Sequence, residues 1–206
     1  IIALGAGEPD FPTPQHIKDA AILAVTENFT KYTPTGGIPE LRKAICEWHH
    51  RQLGSNYEPA ESITCVGGKH AIFNVMAALL NDGDEVVLPI PYWVTFYDVV
   101  TYHGGQCVMA RTSEAEGFRL RAVDVERVLT PRTKLVIVNS PNNPSGAVIP
   151  PSEFEKIFQL TSSRGITLLS DECYSHFVYE GTPFSVASLP RSKPHVVIIG
   201  SLSQNF

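Results

Sequence analysis

The sequence predicts an α/β fold: a mostly parallel sheet with helices on both faces. Helix-period and strand-period segments alternate along the whole chain, the pattern that parallel strands and crossover helices produce. The chain has 206 residues, 43% hydrophobic and 18% charged, which suits one packed domain rather than a disordered or fibrous polymer. At this size a domain buries roughly 70% of the surface its unfolded chain exposes, so core size is not limiting. No repeat, low-complexity stretch or interdomain linker breaks the pattern.

Thr13 reads as an N-cap with Pro14 at the first helical position, opening a helix over residues 13–27. A turn-rich stretch, Tyr32-Thr33-Pro34-Thr35-Gly36-Gly37, separates it from a second helix over 39–53 with Leu41, Ala44, Ile45 and Trp48 on one face. Residues 63–66 read as a short buried strand broken by Gly67-Gly68. The next helix sets Ile72, Val75, Met76, Leu79 and Leu80 on one stripe and ends at Asn81-Asp82-Gly83-Asp84. Strands follow over 85–89, 106–111, 134–139, 167–171 and 195–200, with helices beginning near Val94, Ala122 and Ser152. Ser152 with Glu155 three residues on is the pattern of a capping box.

A net charge of −5 without a basic run argues against nucleic acid or an anionic membrane as partner. No apolar run approaches the roughly 20 residues a bilayer crossing needs. Cys46, Cys65, Cys107 and Cys173 lie among apolar residues, and none is spaced as a metal ligand. They read as buried thiols in a reducing compartment, so the expected location is the cytoplasm. The chain opens at Ile1 within a strand-like segment, which leaves an upstream targeting peptide open.

Several junctions carry chemistry-bearing residues. Val66-Gly67-Gly68-Lys69-His70 places two glycines between a strand and a helix, where backbone N–H groups close on a phosphate at the positive helix end. The same junction also serves as a plain tight connection, and neither a Walker loop nor a GxGxxG is present. Trp93, in Pro89-Ile90-Pro91-Tyr92-Trp93, follows a strand at the end where α/β folds bind ligands; a core tryptophan is the other reading. Asp171 ends the apolar strand, and burying its carboxylate is costly without a positive partner; an N-cap role is the alternative. Ser201 reads as a phosphate ligand or an ordinary strand-end serine.

Taken in order, Asn139-Ser140-Pro141-Asn142-Asn143-Pro144-Ser145-Gly146, Ser170-Asp171-Glu172-Cys173-Tyr174 and Ser201-Leu202-Ser203-Gln204-Asn205-Phe206 resemble the class I aminotransferases of the fold type I pyridoxal-phosphate family. Ala6-Gly7-Glu8-Pro9-Asp10-Phe11, the stretch from Tyr32 to Arg42, Gly83-Asp84-Glu85-Val86 and Pro91-Tyr92-Trp93 match the same family, closest to its aspartate aminotransferase-like branch. The resemblance implies pyridoxal 5′-phosphate as cofactor, amino acid and 2-oxo acid substrates with aspartate-like donors, and a homodimer with shared sites. It further implies that Gly67, Gly68, Lys69 and Ser201 bind the phosphate and that Trp93 stacks on the ring. Asp171 would pair with the ring nitrogen, and Asn143 and Tyr174 would donate to the ring's phenolate oxygen. Gly7, Trp93 and Asn143 would meet the substrate, and Tyr32 would reach the neighbouring subunit's phosphate. Residues 1–12 would lead in from a small domain, with 13–206 forming part of the large, cofactor-binding domain. The family's next strand, antiparallel, would lie between this chain's first and last strands.

One position departs from the pattern. Where the family carries the lysine that condenses with the cofactor's aldehyde, this chain has Gln204, whose amide nitrogen has no basic lone pair. The resemblance therefore implies an aminotransferase chain without turnover of its own. A non-catalytic binder of pyridoxal phosphate or its amino-acid adduct, and a carbon–sulfur lyase-type relative, remain as alternatives.

Overall fold

The structure, a computed structural model, describes Gly7 and residues 11–205. The strand-like segment at Ile1 and the residues Glu8 to Asp10 lie outside the described residues. Five strands form one parallel sheet in the order β2-β1-β3-β4-β5: β1 (Glu85–Ile90), β2 (Gln106–Arg111), β3 (Thr133–Asn139), β4 (Thr167–Asp171) and β5 (Val196–Ile199). Helices α1 (Gln15–Thr26), α2 (Pro39–Leu53) and α3 (Gly67–Leu79) precede the sheet in the chain. The others are α4 (Val94–Tyr102), α5 (Ala122–Glu126), α6 (Pro151–Ser162) and the short α7 (Leu202–Asn205). The α/β expectation holds, and among the described residues no helix is long and apolar enough to cross a membrane.

Strand alternation divides the core in two. Val87, Val136, Val138 and Leu168 face α5 and α6, packing with Val125, Phe154 and Ile157. Val86, Leu88, Leu135, Ile137 and Leu169 face α3 and α4, packing with Ile72, Met76, Phe96 and Val100. The central strands are apolar on both sides because both faces are covered.

Three local expectations are corrected. Residues 63–66 form no strand: the Thr64 N–H donates to the Gly36 carbonyl, and Ile63 and Val66 are 72% and 88% exposed. A strand needs a ladder partner. A groove of about 1020 Å³ instead adjoins this segment and β5, which is an edge strand among the described residues. The α2 stripe of Leu41, Ala44, Ile45 and Trp48 lines that groove, while the residues α2 buries are Cys46 and Leu53.

Helix α1 opens at Gln15, because Pro14 takes an extended ψ of 143° and Thr13 makes no cap. At α6, Pro151 occupies the first turn and moves the start ahead of Ser152, so the expected capping box is absent. Glu153 instead accepts the Ala122 N–H at 2.9 Å, capping α5 from its neighbour, and Glu155 accepts from Gln159.

Gly37 is fixed by space: its φ is +97°, and a Cβ there would meet the Thr64 side chain.

Candidate functional site

The carboxyl ends of the parallel strands form a row. Asn139 on β3, Asp171 on β4 and Ile199 on β5 are register neighbours. The Asn139 Nδ2 donates to the Asp171 carbonyl at 3.1 Å, and its Oδ1 accepts the Asn143 N–H at 2.6 Å. One buried side chain thus fixes Asp171 and the loop carrying Asn143. Asn142 holds that loop to the next one: its Nδ2 donates to the Pro91 carbonyl at 3.3 Å, and its Oδ1 accepts from the Ser145 N–H and hydroxyl. The peptide bonds before Pro91, Pro141 and Pro144 are cis.

Asp171 is 4% exposed and accepts the Cys173 N–H through Oδ1 at 3.1 Å. Burial pushes its carboxyl above the ordinary range; the Cys173 hydrogen bonds pull it back, and the neighbouring Glu172 charge adds to the rise. Among the described residues no cation pairs with it. Burial also raises the Cys173 thiol and the Tyr174 hydroxyl, the latter opposed by a hydrogen bond with Asn143.

Trp93 closes the row. It precedes α4, meets Phe96 edge-on with centroids 5.6 Å apart, and carries the Lys69 ammonium 5.4 Å above its ring. Lys69 stands in the first turn of α3, whose N-terminus has no side-chain cap. Gly68 beside it lies against Cys173 and Ile199, at 3.5 and 3.9 Å from where a Cβ would be. Contacts therefore run from Trp93 through Lys69, Gly68 and Cys173 to Asp171, and on to Asn139, Asn143 and Tyr174. Gly67 has a φ of +81° and open space where a Cβ would be; its own N–H donates to the Cys65 carbonyl at 2.9 Å, and the Val66 N–H donates to His70 Nδ1 at 3.1 Å.

Other candidates are not drawn into this set. Gly7 and Tyr32 stand exposed, Tyr32 fully. The Ser201 hydroxyl bonds that of Ser203 at 2.9 Å, and both residues line the groove. Gln204 is half-buried on α7. Sequence reasoning did not single out Asn139 or Asn142, although both lie in the motif around Asn143. An asparagine closing an apolar strand was the available signal for Asn139, since a buried amide needs partners.

The group these residues fit is an anionic, aromatic one. An uncapped helix N-terminus with a lysine offers a phosphate site, an indole offers a stacking face, and a buried carboxyl without a cation is suited to a protonated ring nitrogen.

Comparison with known proteins gives the same direction. The family model for aminotransferase class I and II matches residues 1–206. The aspartate aminotransferase of Geobacillus stearothermophilus is 44% identical over 207 residues, covering 100% of this chain and 53% of the relative. The aspartate/prephenate aminotransferase of Thermus thermophilus is 48% identical over 185 residues, covering 90% and 48%. A solved structure of aspartate aminotransferase from Thermus thermophilus with maleate superposes at a TM-score of 0.95 and 44% identity, over 98% of this chain and 52% of that one. The chain thus spans about half the length of the curated relatives it matches. By sequence, sheet order and the row of groups at its strand ends, the chain belongs to the class I and II aminotransferases, which are pyridoxal-phosphate-dependent proteins.

Proposed function

We propose that this chain supplies the cofactor-holding part of an aminotransferase that exchanges an amino group between an aspartate-like amino acid and a 2-oxo acid. The observation that carries the reading is Asp171, a buried carboxyl with no cation beside it among the described residues. Pyridoxal phosphate, when bound, supplies an aldehyde for amino groups and an electron-withdrawing ring. Asp171 would keep the ring nitrogen protonated, and Trp93 would stack on the ring. Asn143 and Tyr174 would donate to the ring's phenolate oxygen, while Gly67, Gly68, Lys69 and Ser201 would hold the phosphate. Gly7, Trp93 and Asn143 would meet the substrate.

Residues 13–206 serve in this reading as part of the large domain and residues 1–12 as the lead-in from a smaller one. The assembly is a cytoplasmic homodimer in which the exposed Tyr32 reaches the neighbouring subunit's phosphate. Gln204 leaves its position without a base, so the chain itself binds cofactor without turning over amino acids. That residue favours a second reading, a non-catalytic pyridoxal-phosphate binding module.

Titration of the chain with pyridoxal phosphate, followed by absorbance and equilibrium dialysis, tests both. Saturable one-to-one binding that Asp171→Asn weakens is expected, and no binding at millimolar cofactor would overturn both readings. Steady transamination by the unaltered chain would remove the claim about Gln204.

A further inference from the structure

Behind Asp171, on the groove side of the sheet, lies a second buried carboxyl that the cofactor reading does not use. Glu172 is 3% exposed, and its Oε1 accepts the Ser170 and Ser185 hydroxyls at 2.9 and 3.0 Å. Its Oε2 is buried without a hydrogen-bond partner. The His49 Nε2, arriving from α2, stands 3.5 Å from that oxygen, and both His49 ring nitrogens are likewise buried and unbonded. Among the described residues, His49 is the one basic group within 4 Å of Glu172.

We propose that His49 is a positioning residue: with Glu172 it forms a buried charge-balancing pair that keeps Asp171 anionic for the cofactor ring. The proposal rests on the reading above that Asp171 faces the ring nitrogen. Asp171 and Glu172 are adjacent and both buried, and after burial itself the Glu172 charge adds to the rise of the Asp171 carboxyl, an effect that low-dielectric surroundings strengthen. The His49 imidazole, 3.5 Å from Glu172, is the group placed to balance the nearer charge. With His49 removed, Glu172 drives the proton onto Asp171.

Other groups facing Glu172 do not supply the positive charge. The Tyr57 hydroxyl donates to the Val196 carbonyl and is pushed up to about 12 by burial, then by Glu172 and Glu61. Lys193 is paired with Glu61 at 2.7 Å beyond it. Cys173 and Asp171 add no cation.

The test reads Asp171 directly in the full 206-residue chain without cofactor, by following the carboxyl carbon of labelled aspartate through a pH titration. Asp171→Asn assigns the signal. His49→Gln should move the Asp171 midpoint up by about one pH unit, and Glu172→Gln should move it down. The double variant should follow Glu172→Gln, because His49 acts through Glu172. The acid limb of pyridoxal-phosphate binding should shift in the same directions. Midpoints that coincide in the unaltered chain and both variants would overturn the proposal, as would a shift of His49→Gln retained without Glu172. If His49→Gln does not fold, Glu172→Gln still decides by the sign of its shift. Midpoints that move in a chain that takes no cofactor would sustain the pair and sink the cofactor reading.

Discussion

Asn139 and Asp171 are register partners on adjacent parallel strands, and the Asn139 side chain donates to the Asp171 carbonyl at 3.1 Å while accepting the Asn143 N–H. One buried amide thereby ties the acid's backbone to the asparagine loop, beside the Ser140 N–H that donates to the same carbonyl.

Asn139→Leu should destabilise the chain by about 1–3 kcal/mol, since the Asn143 N–H loses its acceptor. The Asp171 carbonyl keeps the Ser140 N–H, so the larger loss falls on the loop. Urea unfolding measures the stability. Pyridoxal-phosphate affinity should fall with it, and unchanged affinity would show that Asn139 is structural only.

Asp171 gives a pH dependence with a defined sign. Burial raises its pKa above 3.8, so between that value and the folded one the native chain holds more protons than the unfolded chain. Without cofactor, this group's contribution to stability therefore falls as pH rises through that window. Asp171→Asn should stabilise the cofactor-free chain at pH 7 by about 1–2 kcal/mol and weaken pyridoxal-phosphate binding about 10–100-fold. Paired denaturation and dialysis measurements separate the two effects; a loss of stability would contradict the desolvation account.

The chain has two tryptophans, and Trp93 alone stands in the proposed site. In Trp48→Phe, pyridoxal phosphate should quench the remaining fluorescence. Lys69→Met should lower affinity about 5–30-fold through the lost phosphate charge, on the order of 1–2 kcal/mol. Quenching that survives in Trp93→Phe but vanishes in Trp48→Phe would place the ring elsewhere.

Gln204→Lys supplies the amine that position 204 lacks. Incubation with pyridoxal phosphate, borohydride reduction and peptide mass analysis should then find a pyridoxyl group on position 204. The unaltered chain should give none there, because an amide does not condense with an aldehyde. Stoichiometric labelling of Lys69 or Lys193 instead would show that Gln204 does not stand at the aldehyde.

Glu153→Ala should cost about 0.5–2 kcal/mol by leaving the Ala122 N–H uncapped. Ser152→Ala should cost little, because α6 starts on Pro151. Equal losses for the two variants in thermal unfolding would restore the capping-box reading.

Sequence alone determined what is local or periodic. The strands from Glu85 onward, the α3 stripe through Ile72 and Met76, and the residues at strand ends were legible because alternation, helical spacing and turn chemistry act within a few residues. The order of motifs carried the family, and those around Asn139 and Asp171 sit on strand ends that the sheet register aligns.

Tertiary structure decided the rest. Whether residues 63–66 form a strand depends on a ladder partner, and local hydrophobicity cannot supply one. The α2 face of Leu41, Ala44, Ile45 and Trp48 was legible from spacing, but that it lines a groove depends on what packs opposite. The capping of α5 by Glu153 joins residues 31 positions apart, and the approach of His49 to Glu172 joins a helix to a strand end distant in the chain. Contacts of this range are set by how the helices lie on the sheet, and neither propensity nor spacing encodes that geometry.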